Sequence, residues 1–246
     1  MPLNTRQLAY RDEDARLNGF VAVDPTRGDK RPGILVVHGG AGLDDHARGR
    51  ARRFAEAGFV AFACDMYGEA VVGRDAIMRH VMELRNNRDM LRRRASRAMD
   101  VLAQHPDVDG RIAAVGYCLG GMVALELARG GAALAGTVSV HGSLDTPHPA
   151  APSTVRGKIL VCHGALDPHV PMTQVTTFAE EMTHAGVDYQ LIIYGTAMHG
   201  FTHETATGQQ PGVRYDEAAD RRSLVAIDGF LREAFGATRL SPEVPN

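Results

Sequence analysis

An α/β fold with a mostly parallel sheet is predicted by three features of this 246-residue chain. Short apolar runs alternate with amphipathic stretches from residue 33 onward. Several of those runs, "GILVVHGG" at 33–40 among them, are continuous rather than alternating, as strands buried on both faces must be. No repeat, low-complexity tract or linker separates two halves, so one domain over residues 1–246 is expected. Alternating strands and helices in one domain imply right-handed crossovers with helices on both faces of the sheet.

The elements follow in order. "RQLAY" and "FVAVD" read as two short strands joined by the polar turn "RDEDARLNG", and "GILVVHGG" as a buried parallel strand. Residues 44–57 form an amphipathic helix, with Asp44 as its N-cap and Gly58 just past its end. "FVAFACD" is the next buried strand. Residues 73–105 are helical, and "NNRD" at 86–89 divides them in two; their arginines read as a solvated face. "RIAAVGY" is a strand, "MVALELA" a helix, "LAGTVSVHG" a strand, and 144–157 a proline-rich loop. "KILVCHG", a helix over 171–185 and "DYQLIIY" continue the alternation. A helix over 214–236 and a polar tail close the chain.

Composition narrows the function classes. With 44% hydrophobic residues the chain can bury a full core, and a net charge of −2 gives no attraction to nucleic acid or an anionic membrane. The first residues lack a signal-peptide apolar stretch, and no apolar run reaches the roughly 18 residues of a membrane span. The three cysteines, Cys64, Cys118 and Cys162, form no CxxC pair and no metal-ligand spacing, which suits a reducing compartment. The expectation is a cytoplasmic protein acting on a small molecule without metal or cofactor. Its oligomeric state is open.

Chemistry concentrates at "GYCLGG". Gly116, Cys118 and Gly120 make the small-x-nucleophile-x-small pattern of a sharp strand-to-helix turn. Larger flanking side chains would clash there, and the helix that follows aims its N–H groups at the sulfur and favours the thiolate. A buried cysteine in an ordinary turn is the plainer alternative. Chain order argues against it. Asp167 in "ALDPHVP" and His199 in "GTAMHGF" follow later strands, giving nucleophile, acid and base in the α/β-hydrolase order. An oxyanion hole is expected from the N–H groups of Leu119 and Gly40, where "HGGAG" lets the backbone approach a substrate carbonyl. Cys64 and Cys162 read as inert core. His38, His141 and His163, each ending a strand as "HG", read as packing residues at the pocket mouth, and Tyr67 as a candidate substrate contact.

"GYCLGG", "GALDPHVP", "AMHGFTH", "VRYDEAADRRSLVAIDGFL" and "RARRFAEAGFVAFACDMYG" together resemble the dienelactone hydrolase family of α/β-hydrolases over residues 20–236. The resemblance implies an α/β-hydrolase core without a large lid domain and a triad of Cys118, His199 and Asp167. It also implies hydrolysis of small esters or lactones through an acyl-thioester. Two positions depart from the family pattern. Gly39 stands where the family holds a glutamate against the resting cysteine, and His203 where it holds an arginine for a substrate carboxylate. A second carboxylate-binding arginine would come from Arg74, Arg79, Arg85 or Arg88. The fold and triad are expected to carry over, with uncharged substrates preferred. A thioesterase or other acyl-transfer enzyme, and a non-catalytic ligand-binding protein, are the alternatives.

Overall fold

A computed structural model describes residues 2–236; the polar tail lies outside the described residues. Its strands are β1 (Asn4–Asp12), β2 (Ala15–Val23), β3 (Arg31–Val37), β4 (Val60–Cys64), β5 (Val108–Tyr117), β6 (Gly136–Val140), β7 (Lys158–Gly164) and β8 (Tyr189–Tyr194). Its helices are α1 (Asp45–Glu56), α2 (Arg74–Asn86), α3 (Arg88–Ala103), α4 (Leu119–Arg129), α5 (Met172–His184) and α6 (Glu217–Ala234). The eight strands form one sheet in the order β1-β2-β4-β3-β5-β6-β7-β8. Strands β3 to β8 run parallel, while β1 and β2 form an antiparallel hairpin whose second strand also pairs antiparallel with β4.

Alternation inside each buried strand divides the core between the two faces of the sheet. Ile34 and Val36 pack with Phe54 of α1 and with Ile227, Phe230 and Leu231 of α6. Leu35 and Val37 face the other way, against Leu91 and Leu102 of α3 and Met122, Val123 and Leu127 of α4. Beyond them, α5 covers β7 through Val175, Phe178 and Met182. Helix starts follow local chemistry: Asp44 caps α1 by accepting from the Ala47 N–H, and Asn87 caps α3 by accepting from the Met90 N–H.

Two expectations need correction. The segment "RDEDARLNG" is mostly strand, paired from Asn4–Val23 down to Asp12–Ala15, with only Glu13 and Asp14 turning. Its charged residues sit on an edge hairpin, where one face meets water, so polarity did not mean loop. The arginines of α2 and α3 do not form a uniformly solvated face either. Arg88 is 7% exposed, Arg92 bonds to the buried Glu126, and Arg93 bonds to the buried Asp12. Long side chains with charged tips bury their stems and still find partners.

What matters for function is the switch in direction. From β3 the chain goes outward to β4, then returns to β5 on β3's other side. The carboxyl ends of β3 and β5 therefore leave a crevice between diverging connections, where open α/β sheets bind ligands.

Candidate active site

Cys118 lies at that crevice, between β5 and α4. Its backbone is left-handed, φ 54° and ψ −117°, a conformation that costs a non-glycine residue free energy and persists only when its surroundings impose it. The glycines on either side explain how. A Cβ at Gly116 would fall 1.8 Å from the Gly120 carbonyl oxygen, and one at Gly120 would fall 2.1 Å from the Val37 oxygen. No side chain fits at either position.

The loop after β8 brings His199 to the thiol, with Nε2 3.1 Å from Sγ. The loop after β7 brings Asp167 to the other side of the ring, where Oδ2 accepts from His199 Nδ1 at 2.8 Å. Asp167 is itself held by two backbone donors, since its Oδ1 accepts from the N–H groups of His169 and Val170. The backbone N–H groups of Gly40 and Leu119 favour the thiolate.

Electrostatics follow from this line of contacts. Burial pushes the Cys118 thiol up, but the His199 imidazolium, its hydrogen bond and the two amides outweigh it, and the thiol falls below its ordinary pKa. Burial likewise opposes a charge on His199, yet the Cys118 thiolate and the Asp167 carboxylate raise it to about 10. Cysteine and histidine stabilise each other as an ion pair, so the two titrations belong to the pair. Cys64 and Cys162 are buried within strands, and burial drives both thiols up, Cys162 to about 12. They cannot compete as nucleophiles near neutral pH.

The oxyanion loop is tied down on both sides of Gly40. His38 Nδ1 donates to the Gly39 carbonyl oxygen at 2.6 Å, and its Nε2 accepts from the Met66 N–H. The Gly39 carbonyl shares a peptide with the Gly40 N–H, so this bond orients that donor. Tyr67 donates its hydroxyl to the Gly40 oxygen at 3.1 Å, and its ring stacks on His80. Its polar tip is thus engaged by the protein rather than free. His38 and His141 do more than pack: His141 Nδ1 accepts the Cys118 N–H at 3.1 Å. His163 is buried, with no hydrogen-bond partner for either ring nitrogen among the described residues.

Gly39 and His203 sit where the departures were expected to matter. A Cβ on Gly39 would lie 3.5 Å from Cys118 Cβ and 3.7 Å from His203 Nε2, ordinary contact distances. His203 stacks on His46 with ring centroids 3.9 Å apart. Burial, together with Arg50 and His199, lowers its pKa to about 4 against the opposing pull of Asp44, so it is neutral at pH 7. Of the four candidate arginines, Arg74 and Arg79 are exposed. Arg85 bonds to Ser143 and Asp145, and Arg88 donates to the Met122 sulfur. A cleft of about 590 Å³ opens beside His203, lined also by Asp44, His46, Arg50, Arg53 and Glu204. Among the described residues no group of three His, Cys, Asp or Glu side chains could hold a metal ion.

Comparison with known proteins decides the family. The family model for dienelactone hydrolases matches residues 17–235. The chain belongs to the dienelactone hydrolase family. Within this hydrolase family it is 25% identical to a putative carboxymethylenebutenolidase of Yersinia pestis, across 92% of this chain and 88% of that one. It is 37% identical to a solved dienelactone hydrolase-like promiscuous phosphotriesterase from metagenomic libraries. That likeness has a TM-score of 0.90 and covers 94% of this chain and 98% of the other. A putative dienelactone hydrolase structure from Klebsiella pneumoniae shares the fold, with TM-score 0.78 at 16% identity over 95% of this chain and all of the other. No helix among the described residues of this dienelactone hydrolase family member is long and apolar enough to cross a membrane.

Sequence reasoning missed His46, Thr202 and the Arg50–Asp220 ion pair, which lies behind them at 2.8 Å. No local motif marks them, because His46 and Thr202 are far apart in the chain and meet only through the sheet.

Proposed function

We propose that this protein hydrolyses small carboxylic esters or lactones with Cys118 as nucleophile. The observation that carries the reading is the unbroken line from Asp167 Oδ2 through His199 to Cys118 Sγ, with contacts of 2.8 and 3.1 Å. The thiolate adds to the substrate carbonyl carbon, and the carbonyl electrons move to oxygen, where the N–H groups of Gly40 and Leu119 receive them. Collapse expels the alkoxide, which takes the His199 proton and leaves as the alcohol, with the acyl group now a thioester on Cys118. His199 then removes a proton from water, hydroxide adds to the thioester, and the thiolate departs as the acid forms. Asp167 keeps the imidazole in the required tautomer and stabilises its charge.

A second reading has its own support. The 37% identical neighbour is described as a promiscuous phosphotriesterase, and a thiolate beside two amide donors suits attack at phosphorus as well as at carbon. The deciding experiment is a panel of activated esters, lactones and neutral phosphotriesters, run on the wild type and on Cys118→Ala. Ester or lactone turnover that vanishes in the variant supports the first reading. Turnover that survives in the variant overturns the nucleophile assignment.

A further inference from the structure

Behind the nucleophile lies a chain of buried and half-buried hydrogen bonds that the proposed reaction does not use. Cys118 and His141 are both non-glycine residues with left-handed backbone, φ 54° and 41°, and they face each other across the carboxyl ends of β5 and β6. The Cys118 N–H, shared with the Val140 carbonyl at 3.0 Å, donates to His141 Nδ1 at 3.1 Å. That bond requires a bare Nδ1, so the ring proton of neutral His141 sits on Nε2. Nε2 lies 2.9 Å from Thr202 Oγ1, and Thr202 Oγ1 lies 3.0 Å from His46 Nε2. Arg50 Nε also donates to His46 Nε2, at 3.2 Å, which fixes that nitrogen as an acceptor. Each hydrogen then has one place: from His141 to Thr202, and from Thr202 to His46. Thr202 and His141 are 1% and 0% exposed, so water does not substitute for either partner.

We infer that His141 and Thr202 are positioning residues that hold the nucleophile turn and the base loop at a fixed separation. Thr202 is the third residue after His199, and its backbone oxygen is also held by Arg50 Nη2 at 2.9 Å. A bond from the Cys118 peptide to His141 and on to Thr202 therefore ties the sulfur's backbone to the imidazole's backbone. Strain at Cys118 and His141 is retained because this link over-determines both. The arrangement needs neutral histidines. Burial, with His199, His203 and His46 nearby, keeps His141 well below its ordinary pKa, and burial with His203 and Arg50 holds His46 at about 2.

This inference rests on the proposed nucleophile and base, and its test separates the two. Thr202→Val keeps the shape and removes the hydroxyl; Thr202→Ser keeps the hydroxyl. Each is assayed for kcat and KM on an activated ester and for the pH midpoint of Cys118 alkylation by iodoacetamide, which needs no substrate turnover. Loss of alignment should lower kcat about 10- to 100-fold with KM within about twofold. The alkylation midpoint should rise, and Thr202→Ser should restore kcat to within about fivefold. His141→Asn keeps an acceptor for the Cys118 N–H in a residue tolerant of left-handed backbone but cannot reach Thr202. It should match Thr202→Val, and the double variant should be no worse than either. The inference is overturned if Thr202→Val keeps full kcat, if serine and valine lose it equally, or if the two substitutions add. Should the wild type hydrolyse no ester, the proposed function fails, and the alkylation midpoints still decide the positioning link. Should Thr202→Val not fold, His141→Asn alone carries the test, and unchanged kcat and midpoint in it overturn the inference.

Discussion

His199 Nε2 lies 3.1 Å from Cys118 Sγ, while Gly39, the residue where a competing carboxylate would stand, offers only hydrogen beside the same sulfur. The thiol thus has a cationic partner in His199 and no carboxylate at position 39. A thiol that is reactive in the resting protein is the outcome expected from that asymmetry.

Removing the sulfur tests the chemistry apart from the fold. Cys118→Ala is expected to lose ester hydrolysis entirely while keeping the wild-type circular dichroism spectrum and melting profile. His199→Ala should cost several orders of magnitude in kcat, as members of a catalytic unit do. Asp167→Asn should cost less, because the His199–Cys118 contact remains and the acid mainly orients the ring. Greater damage from His203→Ala than from His199→Ala would show that the wrong base had been chosen.

The pH dependence follows from the two shifts. The thiol pKa lies below its ordinary value, so alkylation of Cys118 should begin at a pH below the roughly 8.5 of a free cysteine. Below that onset the thiol is protonated and unreactive. The imidazolium persists to about 10, so ester hydrolysis should hold on a plateau and fall as pH passes that value and the proton for the leaving group is lost. His199→Ala should move the alkylation onset upward. An unchanged onset would separate the thiol's reactivity from the histidine.

Gly39→Glu supplies the missing carboxylate. The backbone there is outside the left-handed region, and a Cβ meets its neighbours no closer than 3.5 Å, so the variant should fold. A second anion beside the thiolate raises the thiol pKa. Both the alkylation rate at neutral pH and kcat/KM for a neutral ester should fall, and the alkylation onset should move up. Equal alkylation profiles for variant and wild type would sink the idea.

Substrate charge follows from His203. A carboxylate entering a partly desolvated pocket needs a cation or several donors, and a neutral imidazole with a pKa of about 4 offers no bidentate clamp. In a matched pair, the uncharged ester or lactone should have the higher kcat/KM, and His203→Arg should narrow the gap. A strong preference for the carboxylated member would point instead to Arg85 or Arg88 as the anchor.

Gly116→Ala probes the turn itself. Its added methyl would collide with backbone, which cannot swing aside as a side chain can. The expected loss of stability is about 3 kcal/mol or more, read from denaturant melts, since overpacking against rigid neighbours lies at the costly end of its range. A variant as stable as wild type would mean the turn is looser than its contacts indicate.

Much of this was legible in the chain. Continuous apolar runs marked the buried strands, Asp44 marked a helix start, and "NNRD" marked the break that Asn87 makes between α2 and α3. Gly116, Cys118 and Gly120 marked the turn, because steric limits at a sharp corner leave so few residue types. Local sequence determines such features because they depend on neighbours along the chain. The tertiary structure alone decided the rest. It extended the β1–β2 strands through a polar segment, buried Arg88 under α4's Met122, and joined His141, Thr202 and His46 from three separate loops and helices. Those partners are chosen by where strands end in space, and a hydrogen bond across a sheet leaves no periodic trace in the sequence that forms it.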